Sequence, residues 1–240
     1  MKSLASLKKS LKQAGNPKKA AILRRFFKTG PGEYGAGDVF LGIQVPEQRR
    51  IARLYSDLSP KDLSALLASP IHEFRLVALF ILISQYEKAP SLREKKKLFD
   101  FYRANLAAVN NWDLVDLSAP KIMGDYLLKS GQGEVPLLKM AASSNLWERR
   151  IAMVSTFAFI RAGREKEAFK VAQKLIQDDE DLIHKALGWM LREVGKQVGE
   201  DKLISFLDRQ AGRLPRTALR YSLERLSPAQ RRYYLGLKRV

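Results

Sequence analysis

The sequence predicts an all-α fold: a HEAT-like helical repeat solenoid, wound as an α-α superhelix with a basic concave face. Three observations predict it. Apolar residues recur at helical spacing, and no alternating apolar–polar run is bounded by hairpin turns. Prolines stand at the openings of apolar-periodic segments and almost never inside them. Similar openings return at spacings of 41, 34, 36 and 34 residues, the range of paired-helix repeats.

The openings justify the helices one by one. Ser59-Pro60-Lys61-Asp62 places a capping hydroxyl before a proline at the first helical position, with an acid in the first turn. Leu63, Leu66 and Leu67 follow on one face. Comparable openings occur near Asn16-Pro17, Val45-Pro46, Ala89-Pro90, Ala119-Pro120, Val135-Pro136, Leu214-Pro215 and Ser227-Pro228. The pattern predicts about twelve to fourteen helices of ordinary length. Residues 1–240 are expected to form a single repeat domain.

The repeat is anchored at Pro70, Asn111, Asn145, Asp181 and Pro215. Five residues after each anchor stand Arg75, Asp116, Arg150, Ala186 and Arg220. Stacked in register, these would line one face, a phosphate-binding row with one acid among the cations. A helical bundle with accidental spacing is the alternative. The stretch 29–38 interrupts the pattern with four of the chain's 15 glycines and lacks the ending of a phosphate-cradling loop. Residues 29–39 are expected to be a flexible connection between helices; the sharper alternative is a loop at the mouth of the groove that touches the bound ligand.

Composition narrows the function. Lys plus Arg number 43 against 25 Asp plus Glu, a formal net charge of +18. Charge of that size repels itself and implies a polyanionic partner, nucleic acid before a membrane surface. With no cysteine, disulfides, thiolate chemistry and zinc fingers are excluded. His72 and His184 stand far apart and are expected on partly exposed helix faces, so no metal site and no cofactor are expected; only a carboxylate-built metal site is left open. The longest apolar run, Leu76 to Ile83, is too short to span a bilayer, and the basic N-terminal segment lacks a secretory apolar core. The expectation is a cytoplasmic monomer.

Two tryptophans stand beside acids and arginines: Trp112, ahead of Asp113 and Asp116, and Trp189, ahead of Arg192; Trp147 precedes Arg149 and Arg150. A lone tryptophan is ordinarily core. A carboxylate in a basic groove repels phosphate, so Asp116 requires a reason to be there.

Five stretches carry a resemblance. They are Phe40-Leu41-Gly42-Ile43-Gln44-Val45-Pro46-Glu47; Asn111-Trp112-Asp113-Leu114-Val115-Asp116; Asn145-Leu146-Trp147 through Arg150; Lys185 through Glu193; and Pro215-Arg216-Thr217-Ala218. In this order they resemble the AlkD-like DNA glycosylases, the HEAT-like-repeat family of DNA alkylation repair enzymes. The resemblance implies cleavage of the N-glycosidic bond of cationic alkylated purines such as 3-methyladenine and 7-methylguanine, in base excision repair and without base flipping. It implies that Asp116 is the catalytic carboxylate, that Trp112 and Trp189 face the sugar, and that Arg150 grips a phosphate. It places Gln44 in the groove and Arg49, Arg50, Arg192 and Arg216 on the backbone, beside the Arg75 and Arg220 of the repeat. The chain departs from the family pattern at Asn111, where some members have a tryptophan, at Phe26, where a hydroxyl-bearing aromatic occurs, and in the glycine-rich stretch. Two rivals remain: a non-catalytic HEAT-like nucleic-acid-binding scaffold, favoured if Trp112 or Trp189 is core, and a protein-interaction solenoid.

Overall fold

The structure, a computed structural model, describes residues 3–238. Among them the backbone is helical with no strand; a single parallel bridge joins Val39 to Ile71. The chain forms two compact units, divided between Leu114 and Val115.

The first unit is built around one helix. Its elements are α1 (Leu4–Gln13), α2 (Pro17–Phe26), α3 (Val45–Leu54), α4 (Pro60–Leu67), α5 (His72–Lys88) and α6 (Leu92–Ala104), then a 3-10 turn over Leu106–Ala108. The unit boundary falls within α7 (Trp112–Ser118). Helix α5 is apolar on every side from Leu76 to Ile83, and all of those residues are buried. A helix with that pattern must be surrounded, and α1, α3, α4 and α6 all pack on it. Each Leu, Ile or Phe so buried contributes about 1.5–3 kcal/mol.

Local chemistry sets the starts. Asn16, Ser59, Ser91 and Ser227 each accept a backbone N–H in the first turn of α2, α4, α6 and α16 (Pro228–Gly236). Each repeat anchor stands within two residues of the start of α5, α7, α10 (Leu146–Ser155), α13 (Asp181–Gln197) or α15 (Arg216–Ser222). Pro120 departs from the expected role. It opens no new helix, because Ala119 and Asp125 on either side of Pro120–Gly124 are both in the right-handed helical region. Proline supplies no N–H to the turn before it. The backbone widens there into a π turn, closed by Gly124 N donating to Ala119 O at 2.9 Å.

In the second unit, α8 (Asp125–Lys129), α9 (Val135–Ala141), α11 (Phe157–Arg161), α12 (Lys166–Leu175) and α14 (Glu200–Gln210) complete the set. Helix α13 is the centre: α10, α11, α12, α14 and α15 pack on it. Gly188 lets α15 approach, since a Cβ there would stand 2.4 Å from Ala218 O and 2.5 Å from Tyr221 Cβ.

Candidate functional site

Asp116 and Arg150 meet in the second unit. Arg150 Nε donates to Asp116 Oδ1 at 3.0 Å and Nη2 to Oδ2 at 2.8 Å, a bidentate pair. Nη1 donates to the carbonyl of Leu182 at the start of α13. The arginine side chain is 6% exposed and the aspartate 21%. The aspartate is thus the more exposed partner of the pair, and the arginine lies in the interior. Arg150 was expected to grip phosphate; its geometry instead holds the carboxylate in one orientation. Trp189, on α13, is partly buried and lies 6.1 Å from Phe157, ring centre to ring centre. Trp147 is also partly buried.

Trp112 stands at the first position of α7 and is partly buried, neither core nor free surface. Its indole stacks on Phe27 at 5.2 Å and 14°, with the Phe26 edge 5.8 Å away. Phe27 stacks in turn on Phe40, and Phe40 on His72. Beside this stack is a cavity of about 580 Å³ lined in part by Leu23, Phe40, Gln44, His72 and Asp113.

A buried charge cluster lies under the same stack, and the sequence reading missed it. His72 is 2% exposed, not on a partly exposed face as expected. Its Nδ1 meets Asp38 Oδ2 at 3.0 Å and its Nε2 meets Asp113 Oδ2 at 2.8 Å. Burial alone would lower the imidazole pKa, but the hydrogen bonds to Asp113 and Asp38 outweigh it and raise it to about 9. Both nitrogens then donate. Burial pushes Asp38 up, but His72 and Arg75 more than reverse that and hold it below its ordinary value. The one available signal was the run His72-Glu73-Phe74-Arg75 at a helix opening just before an apolar core segment.

Arg75 is a correction. It is 4% exposed, with Nη2 on Asp38 Oδ1 at 2.6 Å and Nη1 on Ser69 O at 3.0 Å. A guanidinium already bound on both sides in the interior is not presented to phosphate. The expected row of exposed arginines fails for the same reason at Arg150, and Ala186 is buried; only Arg220 is exposed. Gln44, Arg49, Arg50 and Arg216 are also exposed. Arg49 covers the Phe80 ring at 4.3 Å, Arg50 pairs with Glu47, and Arg216 donates to Leu235 O at 2.8 Å. Arg192 is partly buried and paired with Glu224.

The glycine-rich stretch carries its own hydrogen bonds. Gly30 N binds Glu33, Gly35 N binds Lys28 O, and its last residue is the buried Asp38. The next motif, Phe40 to Ile43, is shaped by Glu73. That fully buried carboxylate accepts N–H groups from Leu41, Gly42 and Ile43, at 2.8 Å from Gly42. Gly42 has φ +83°, and a Cβ there would come within 2.2 Å of Asn16 O.

Among the described residues no group of His, Asp and Glu is arranged to hold a metal, and no helix is long and apolar enough to cross a membrane. Three solved structures share the fold. One is titled a predicted DNA alkylation repair enzyme from Enterococcus faecalis (TM-score 0.69, 19% identity, covering 89% of this chain and 97% of that one). Another is smu.31 from Streptococcus mutans UA159 (TM-score 0.54, 18% identity, 90% and 100%). A third is AlkD2 from Streptococcus mutans (TM-score 0.52, 19% identity, 86% and 97%). No curated protein matches the chain. The family model described as DNA alkylation repair enzyme matches residues 7–226, nearly the whole length, and the chain belongs to that family.

Proposed function

We propose that the protein is a DNA glycosylase that hydrolyses the N-glycosidic bond of cationic alkylated purines, of the 3-methyladenine and 7-methylguanine type, in duplex DNA. The observation that carries this reading is Asp116: a partly exposed aspartate held bidentately by a buried arginine, in a member of the DNA alkylation repair family.

The chemistry asks for such a group. A purine alkylated at a ring nitrogen is positively charged and leaves as a neutral base, taking the electrons of the broken C–N bond. No general acid is required. Positive charge develops on the deoxyribose, and a fixed carboxylate stabilises it. Water then bonds to C1′ and gives its proton to the carboxylate or to solvent. Arg150 keeps the carboxylate oriented, so little reorganisation is left for the moment of reaction. Trp189 and Trp112 offer aromatic faces worth about 0.5–2 kcal/mol each toward a cation. The enzyme is monofunctional in this reading, leaving an abasic site in an intact strand.

The test is single-turnover incubation with alkylated duplex, with chromatography of released bases, a gel of the strands, and an affinity measurement. The wild type should release 7-methylguanine and 3-methyladenine with the strand uncut. Asp116→Asn should keep its affinity and lose about 100- to 1000-fold in rate. Excision by Asp116→Asn near the wild-type rate would show that Asp116 is not the catalytic carboxylate, and a wild type that binds duplex but releases no base would replace this reading with that of a non-catalytic DNA-binding scaffold.

A further inference from the structure

Asp38 and His72 are buried, ionised and take no part in the proposed chemistry. Their partners show what they hold. Asn111 and Asp113 flank Trp112 in sequence. Asn111 Nδ2 donates to Asp38 Oδ2 at 3.1 Å, and Asn111 Oδ1 accepts the backbone N–H of Trp112 at 2.8 Å. On the other side, Asp113 accepts from His72 at 2.8 Å. Both neighbours of Trp112 are therefore tied to one Asp38–His72 pair, itself bonded at 3.0 Å. That pair is anchored further. Arg75 binds Asp38, and the bridge from Val39 to the start of α5 fixes the end of the glycine-rich stretch. The rings run in parallel with these bonds: the indole stacks on Phe27, Phe27 on Phe40, and Phe40 on the imidazole.

We propose that Asp38 and His72 are positioning residues for Trp112: together they clamp the first turn of α7 on both sides of the tryptophan and support the plane of its indole. The inference rests on the reading of Trp112 as an aromatic face presented to the sugar. Packing alone does not explain the cluster. Buried ions lose hydration, and well-packed apolar residues of similar volume often serve stability as well or better. Stacking leaves a ring free to slide in its plane. Directional bonds to residues 111 and 113 set the Cα–Cβ direction of the residue between them, which stacking cannot do. The glycine-rich stretch acquires a role through the same bonds, since it ends in the carboxylate of the clamp.

The test uses the full-length protein labelled with 5-fluorotryptophan. Its three tryptophans give three fluorine resonances, assigned by single Trp→Phe variants. Asp38→Asn retains size and loses charge. It should move or broaden the Trp112 resonance and leave those of Trp147 and Trp189 in place. In the same variant, release of 7-methylguanine should fall by about ten- to a hundredfold with duplex affinity unchanged. A wild-type titration from about pH 7 to about pH 10, read with the same assignments, needs no substitution in the clamp and serves if Asp38→Asn does not fold. The groups facing His72 are Asp38 from the glycine-rich stretch, Asp113 from α7 and Arg75 from α5. As His72 loses its proton among them, the Trp112 resonance alone should move. A Trp112 resonance indifferent to both perturbations overturns the proposal. So does a displaced resonance with unchanged excision. If the wild type releases no base, the glycosylase reading falls, and the fluorine spectra still decide whether the clamp exists.

Discussion

His72 lies between Asp38 and Asp113, and its proton links stability to pH. Its pKa rises from 6.5 to about 9 on folding. A group whose pKa is raised in the folded state contributes stability that is complete below the unfolded value and lost as pH climbs through the folded one. The loss therefore falls between about pH 6.5 and about pH 9, and a shift of this size corresponds to roughly 3 kcal/mol. Urea unfolding at the two ends of that window should show the first unit weaker at the alkaline end, and His72→Gln should flatten the difference. Equal alkaline losses in wild type and variant would place the titration elsewhere. Arg150 illustrates a second point at this scale. Its two bonds to Asp116 make it a holder of the carboxylate, so Arg150→Ala should slow excision more than it weakens DNA binding in the same assay.

Helices α13 and α15 pack more closely than ordinary side chains allow, because Gly188 has none. A methyl group there meets the backbone carbonyl of Ala218 and the Cβ of Tyr221, neither of which can turn aside. Gly188→Ala should therefore destabilise the second unit by about 1–3 kcal/mol, the range for overpacking a filled core. Chemical denaturation measures this, and an unchanged midpoint would mean that the helices part without cost. The π turn at Pro120–Gly124 follows the same logic of local necessity. The missing N–H of Pro120 is accommodated by a wider turn rather than by ending the helix, so proline punctuation failed to mark a boundary there.

At the scale of the whole molecule the governing quantity is the net charge of +18. Arg49, Arg50, Arg216 and Arg220 are exposed cations available to a polyanion. Binding to duplex should be largely independent of sequence and driven by counterion release. With about six phosphates contacted, affinity should drop by roughly three decades between about 50 and 200 mM salt. Titration at several salt concentrations reads the slope, and a flat response would remove electrostatics as the basis of binding.

Helical periodicity, capping residues and the recurring anchors determined the element type and most helix starts, because these are local effects of backbone hydrogen bonding and apolar spacing. Ser59 and Asn16 cap their helices as their neighbours require, and α7 opens at Trp112 after the Asn111 anchor. The family-like motifs pointed to Asp116, Trp112, Trp189 and Arg150 as a set. Sequence could not tell which arginines are presented. Arg75 and Arg220 occupy equivalent repeat positions, yet one is buried on Asp38 and the other exposed, and that difference arises from a residue 37 positions away in the chain. Nor could it join Asp38, His72 and Asp113, which are separated by 34 and 41 residues. Local pattern specifies which segments coil, whereas the pairing of buried charges depends on which distant segments packing brings within about 3 Å, and only the tertiary structure decides that.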